Sequence, residues 1–271
     1  MDTGAHLVIH SVRSDLTPAL SKYIVPFRAS HKLTTEGRMN QFVRDEIDTC
    51  VPKYLPACDD WTEVTIYKAL VDIIAQVSGR IFVGPELCED PGYLDCATSY
   101  TLDMIDSVTA IKKLRPLFRP FTAPRCPEIR RLRQREKAAA DMLQPMVRQR
   151  QEAAKDPNWV KPDDMTQWMM DRGADNNISV QELANCQLNL IFAAIHTTSL
   201  TATNILYTLA STSEYINPLR EEIRSVVAEH DGNITTKALQ QMEKLDSYMK
   251  EVNRVYPPGM SKNPVIQSNT H

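Results

Sequence analysis

The feature that most constrains this chain is an unbroken helical pattern of apolar residues from Ser179 to Ala210. Ser179 followed by Glu182 is a capping box, in which each side chain accepts a hydrogen bond from the other residue's backbone N–H. No Gly or Pro interrupts the pattern, so it predicts one helix of roughly 45 Å, about the width of a whole domain. We therefore expect a mainly α fold, a helical bundle with this long helix crossing its core.

The middle of this pattern is polar. Asn189, His196 and Thr203 are spaced by seven and share one helical face, with the small Ala193 between the first two. One interpretation is a polar stripe beside a gap that admits a ligand. The alternative is a core helix whose few polar side chains hydrogen-bond one another, as buried histidines usually do. The helix alone leaves both interpretations open.

A second polar signal follows in KEVNRVYPPG, where Glu251 and Arg254 are three apart and so lie on one helical face. Together with AAIHTT, residues 193–198, it resembles the cytochrome P-450 family in order and spacing. That family carries an A/G-x-x-D/E-T-T/S run in its central helix and an E-x-x-R pair in a later one. The stretches DWTEVTIYKALVDIIAQVSGRIFVGPELC and KPDDMTQWMMDR resemble the filamentous-fungal secondary-metabolism branch.

The resemblance implies roles for the central residues. Thr197, with Thr198 beside it, would relay protons during oxygen activation. Ala193 and Ala194 would lie against the haem. His196 occupies the place of the family's usual acid. That substitution matters because an imidazole shuttles protons but, when neutral, carries no negative charge.

The resemblance also implies a cofactor and partners. These are haem b, an NADPH-cytochrome reductase and a small lipophilic metabolite that is hydroxylated or epoxidised. Arg13 stands where a basic residue of the family binds a haem propionate, and Arg–carboxylate pairing is the physical reason for that choice. Glu251 and Arg254 would form the family's structural E-x-x-R pair.

The axial cysteine of the family has no counterpart in this sequence. A thiolate on the haem iron belongs in a loop after the E-x-x-R helix, whereas all six cysteines here precede Glu251. With the family's N-terminal β region also lacking, we expect one incomplete P-450 domain over residues 1–271, without a metal ligand. The chain by itself is then not competent and does not retain haem. The alternative function is a non-catalytic truncated relic or a helical binding or interaction protein.

Charge and hydropathy exclude other classes. A net charge of −3 gives no electrostatic case for nucleic acid. No apolar run approaches the ~20 residues of a membrane span, and Asp2 follows Met1, which predicts a cytoplasmic chain without an anchor. Full-length members of the family are usually anchored to the endoplasmic reticulum membrane.

Apolar periodicity predicts further helices before the central one. They cover Thr35–Tyr54, Val64–Phe82, Gly92–Leu114 and Glu128–Ala154. The third is expected to turn Leu94, Leu102, Ile105 and Val108 toward the core. The fourth is strongly basic, and we expect its charges to face water.

Overall fold

The computed structural model describes residues 33–173 and 179–257, and every regular element among them is a helix. In chain order the helices are α1 (Leu33–Tyr54), α2 (Ile66–Phe82), α3 (Pro91–Lys113), α4 (Arg119–Thr122), α5 (Pro127–Ala153), α6 (Met165–Gly173), α7 (Val180–Ser211), α8 (Ile216–Glu229), α9 (Thr236–Gln241) and α10 (Glu243–Val255). The mainly α prediction is confirmed. Within these ranges no helix is long and apolar enough to cross a membrane.

The chain divides into two compact units, Met1–His196 and Thr197–His271, and the division falls within α7. In the first unit α1 packs on α2, and α3 packs on both α2 and α5. In the second unit α8 packs on α9 and α10. The first unit has the larger core, whose largest fully buried apolar side chains are Met165, Met169, Leu183, Leu188, Ile191 and Ile195. One domain over residues 1–271 stays a prediction.

Helix α7 begins as its capping box predicts. The Ser179 N–H donates to Glu182 Oε2 at 2.9 Å, and the Glu182 N–H donates to Ser179 Oγ at 3.2 Å. The helix then runs for 32 residues without a break, which confirms the single long central helix. It is not enclosed all round, however, because Phe192 is 41% exposed and Tyr207 is 62% exposed.

The inner face of α3 differs from the predicted one. Leu102, Ile105 and Val108 are exposed, whereas Asp103 is 5% exposed. Asp103 turns inward because it is paired with two arginines of α5, Nε of Arg131 and Nε of Arg135, each at 2.5 Å. Hydrophobic periodicity alone could not anticipate a buried carboxylate that is compensated from another helix.

The C-terminal end of α2 is tied to two later helices. The Phe82 carbonyl accepts a hydrogen bond from Thr166 Oγ1 at 2.8 Å and one from Gln187 Nε2 at 2.9 Å. Gln187 Nε2 also lies 2.8 Å from Thr166 Oγ1. A last-turn carbonyl has no partner inside its own helix, so these side chains of α6 and α7 satisfy it and fix the position of α2.

A buried ion cluster lies beside the turn that follows α2. Arg150 of α5 donates from Nη1 and Nη2 to the two oxygens of Asp164 at 2.8 and 2.7 Å. Its Nη2 also lies 3.0 Å from Glu86 Oε1. Gly84 has φ +80° there, and a Cβ on it would meet the polar ends of all three side chains. The prediction that the charges of α5 face water is therefore wrong for Arg150.

Candidate functional site

The imidazole of His196 is hydrogen-bonded at both ring nitrogens. Nδ1 lies 2.9 Å from the hydroxyl of Tyr67 on α2. Nε2 lies 2.9 Å from the backbone carbonyl oxygen of Thr98 on α3. The ring is therefore half-buried in the first unit between two other helices, and its polar atoms are satisfied by protein groups. Neither partner is a polar side chain of the central helix itself, so the two interpretations of the polar stripe both stay predictions.

The small and hydroxyl residues around His196 lie on accessible parts of α7. Ala193 is exposed and Ala194 is half-buried. Thr197 and Thr198 are both exposed. These exposed and half-buried side chains make this the open part of α7.

The predicted polar stripe is not uniformly buried. Asn189 is exposed, whereas Thr203 is 5% exposed. Thr203 Oγ1 donates to the Ser199 carbonyl at 2.7 Å, and Thr208 Oγ1 donates to the Asn204 carbonyl at the same distance. Hydroxyl bonds to the carbonyl four residues earlier are common for mid-helix threonine. They satisfy these hydroxyls without a ligand.

Glu251 and Arg254 form a two-point ion pair on α10. Arg254 Nε lies 2.8 Å from Glu251 Oε2, and Nη2 lies 2.6 Å from Oε1. The side chains are 61% and 71% exposed, so the pair is hydrated. The pair lowers the pKa of Glu251, because hydrogen bonds from Arg254 favour the carboxylate. Arg13, the predicted propionate ligand, lies outside the described residues.

A groove in the second unit was not predicted from the sequence. It has a volume of about 940 Å³, and Glu251 is among its lining residues. The rings of Tyr215 and Tyr248 pack there with centroids 5.6 Å apart. The Tyr248 hydroxyl lies 3.1 Å from Thr212 Oγ1. Its apolar members come from α8, from α10 and from residues that flank these two helices, so no single periodic pattern in the sequence marked it.

Four of the six cysteines are buried in settings that disfavour a thiolate. Burial raises the pKa of Cys50 and of Cys96 to about 11 and that of Cys88 to about 12. Burial also raises the pKa of Cys186. Cys58 is exposed and Cys126 is half-buried. No cluster of His, Cys, Asp or Glu that fits a metal ion occurs among the described residues.

Comparison with known proteins establishes the family. The cytochrome P450 family model matches residues 22–266, so the chain belongs to the cytochrome P450 family. The predicted resemblance, a fragment of the filamentous-fungal type, is confirmed by curated relatives. The chain is 37% identical over 250 residues to Cytochrome P450 monooxygenase TES1 of Alternaria alternata, covering 92% of this chain and 46% of the relative.

A second relative, Cytochrome P450 monooxygenase ATR3 of Stachybotrys chlorohalonatus, is 34% identical over 260 residues, covering 95% of this chain and 53% of the relative. The chain thus spans about half the length of these relatives. Among solved structures it resembles retinoic acid-bound cyanobacterial CYP120A1. The TM-score is 0.61 at 19% identity, over 89% of this chain and 48% of that one. This likeness confirms a partial cytochrome P450 fold.

Proposed function

We propose that this chain is the central part of a haem-dependent monooxygenase that hydroxylates or epoxidises a small lipophilic secondary metabolite. An NADPH-cytochrome reductase would supply its electrons, and the endoplasmic reticulum membrane is the expected location of the full-length enzyme. The observation that carries the proposal is the AAIHTT run on one unbroken helix, α7, in a chain matched by the cytochrome P450 family over residues 22–266.

The open part of α7 supports specific roles. Ala193 and Ala194 would form the wall against which the haem lies, because methyl side chains let a flat group approach the helix closely. Thr197, assisted by Thr198, would hold and pass protons at its hydroxyl near the site of oxygen chemistry. Arg13 would pair with a haem propionate. Haem supplies the oxygen-activating chemistry when bound.

The residues of this chain do not fit the iron's axial position. A thiolate is required there, yet Cys50, Cys88, Cys96 and Cys186 are buried thiols with raised pKa values. All six cysteines, including the exposed Cys58 and the half-buried Cys126, precede Glu251 in the sequence. We therefore propose that the 271-residue chain alone does not carry out thiolate-dependent monooxygenation, and we assign no iron-dependent step to it.

A non-catalytic role is the second candidate for the chain by itself. The observation that favours it is His196, whose two nitrogens both bond protein groups. A truncated relic or a helical binding protein would keep such an internal hydrogen bond without any reaction.

A spectrum separates the two candidates. The purified 271-residue chain is mixed with haemin, reduced and exposed to CO, and a Cys58→Ser variant is treated in parallel. We expect no absorbance typical of thiolate-ligated haem in either sample. A thiolate-type spectrum in both, with substrate turnover when a reductase is added, would assign the monooxygenase activity to this chain.

The role of Thr197 is tested in an active full-length relative that carries the same AAIHTT run. Replacing the threonine that matches Thr197 by Ala should raise hydrogen peroxide release relative to product, because protons reach the bound oxygen less reliably. The same replacement at the position of Thr203, whose hydroxyl bonds Ser199, is the control. Unchanged coupling would remove Thr197 from the proton path.

A further inference from the structure

Tyr67 connects α2 to the residue that precedes the threonine pair of α7. Its hydroxyl lies 2.9 Å from His196 Nδ1, although 129 residues separate the two in sequence. The ring centroids are 6.4 Å apart and the ring planes are inclined by 34°. The rings therefore do not stack face to face, and the hydrogen bond is the specific contact between them.

The partners of His196 determine where its protons lie. The Thr98 carbonyl oxygen accepts hydrogen bonds and cannot donate, so Nε2 must carry a hydrogen. In the neutral imidazole Nδ1 then has a lone pair and accepts from the Tyr67 hydroxyl. Burial raises the pKa of Tyr67 above its usual value, so the phenol keeps its proton and remains a donor. For the neutral imidazole the network thus has one consistent assignment of donors and acceptors.

In this assignment neither ring nitrogen of His196 is available to pass a proton to another group. Its Nε2 hydrogen points to an amide carbonyl, which does not pass a proton onward. Its Nδ1 lone pair is occupied by the Tyr67 phenol, which is 38% exposed. Both ring nitrogens are therefore hydrogen-bonded to groups of α2 and α3. Thr197 is the next residue of α7.

We propose that Tyr67 is a positioning residue that, with the Thr98 carbonyl, locks His196 in its Nε2–H tautomer and withholds the imidazole from proton delivery at Thr197 and Thr198. This inference rests on the proposed role of those threonines and defines how that site is regulated. While the hydrogen bond from Tyr67 is present, which we call the lock, His196 does not replace the acid that its position in AAIHTT implies. Release of the phenol frees Nδ1, so Tyr67 controls whether the imidazole takes part.

The lock is tested by NMR on the 271-residue chain with ¹⁵N-labelled histidine. Long-range correlations from ring protons distinguish protonated from unprotonated ring nitrogens, and loss of signals in a His196→Gln variant assigns them. We expect one tautomer, with Nε2 protonated and Nδ1 bearing the lone pair. In Tyr67→Phe the Nδ1 resonance should shift, because the phenol donor is lost. Tyr207→Phe, which removes a phenol from an exposed position of α7, should leave it unchanged.

A second measurement keeps the inference testable if Tyr67→Phe loosens the fold. Glutamine at position 196 keeps one donor and one acceptor, whereas leucine keeps neither. Tyr67→Phe should therefore lower the urea midpoint in the wild type and in His196→Gln, and have no further effect in His196→Leu. An Nδ1–H tautomer in the wild type, or an Nδ1 resonance indifferent to Tyr67→Phe, would overturn the lock. Neither readout uses haem, so failure of the lock and failure of the proposed monooxygenase are told apart.

Discussion

At the scale of the residue, Arg150 and His196 show that a polar group of this chain is defined by what surrounds it. Arg150 is 3% exposed and bonds two carboxylates. His196 bonds a phenol and a carbonyl. Neither environment can be predicted from the neighbouring sequence, because each partner lies on another helix or loop. The chemistry available to both residues is fixed by long-range packing.

Removal of Arg150 should destabilise the first unit strongly. Arg150→Met leaves Asp164, which is 1% exposed, as a buried carboxylate without its cation, an effect of about 3–5 kcal/mol. Urea unfolding followed by circular dichroism measures it. The control is Lys155→Met, which breaks an exposed pair with Glu152 near the same end of α5, for which we expect about 0–1 kcal/mol. Equal effects of the two variants would show that Asp164 does not need Arg150.

The cysteines should differ sharply in reactivity toward a thiol reagent. Cys58 is exposed, whereas burial raises the pKa of Cys50 to about 11 and of Cys88 to about 12. Since the thiolate is the reactive form, iodoacetamide at pH 8 should label Cys58 first. Peptide mass mapping measures the order, and labelling in denaturant, where all six should react, is the control. Early labelling of Cys88 would contradict the packing of α2 against the turn after it.

At the scale of the element, some faces of the helices follow from sequence and others do not. The capping box correctly places the start of α7, because its two residues are adjacent and need no tertiary partner. The helical periodicity of α5 is local in the same way, and its Leu143 and Met146 are buried. The predicted inner face of α3 is wrong because Asp103 is compensated by arginines of α5. Local signals can be read from sequence, whereas charge pairing between helices cannot.

The capping box should make the stability of α7 depend on pH in the acid range. Hydrogen bonds from the backbone N–H and hydroxyl of Ser179 lower the pKa of Glu182. A lowered folded-state pKa means that its stabilisation is present above the ordinary glutamate pKa of ~4.3 and is lost as pH falls through the folded value.

Glu182→Gln tests this dependence. The stability difference between wild type and variant should be constant near pH 7 and should shrink as the pH falls below ~4. Urea midpoints across this range provide the measurement, and Glu221→Gln on the exposed side of α8 serves as the control. A difference that grows on acidification would mean that the carboxylate does not cap α7 in its charged form.

At the scale of the whole molecule, the family could be predicted from the sequence, but the division into two compact units could not. Family membership followed from the AAIHTT and E-x-x-R signals, whose residues are local to two helices, and the all-α class followed from helical periodicity. The division between His196 and Thr197 could not be predicted, because no Gly, Pro or polar linker marks it within α7. Likewise, Tyr67 as the partner of His196 had no signal, since it lies 129 residues earlier.

Amide hydrogen exchange should reveal the different cores of the two units. The first unit buries a large apolar cluster that includes Leu183 and Ile191, whereas that of the second consists of Val226, Ala238 and Met242. Because protection follows buried contacts, amides of α7 before His196 should exchange slowest, and those of α9 and α10 much faster. Mass spectrometry of exchanged peptides measures this, with the urea-unfolded chain as the reference. Equal protection of α10 and the first half of α7 would contradict it.

The carbonyl oxygen of Phe82, which accepts two hydrogen bonds, also has a consequence for how the chain folds during synthesis. Its partners lie 84 and 105 residues further along the chain. At ~5–20 residues per second, translation reaches Gln187 roughly 5–20 s after Phe82. Until Thr166 has been synthesised, the end of α2 has a carbonyl that only water satisfies, and its second protein partner arrives only with Gln187. The first half of the nascent chain therefore completes its packing only after α7 has begun to emerge, so slower translation before Gln187 prolongs exposure of the first core.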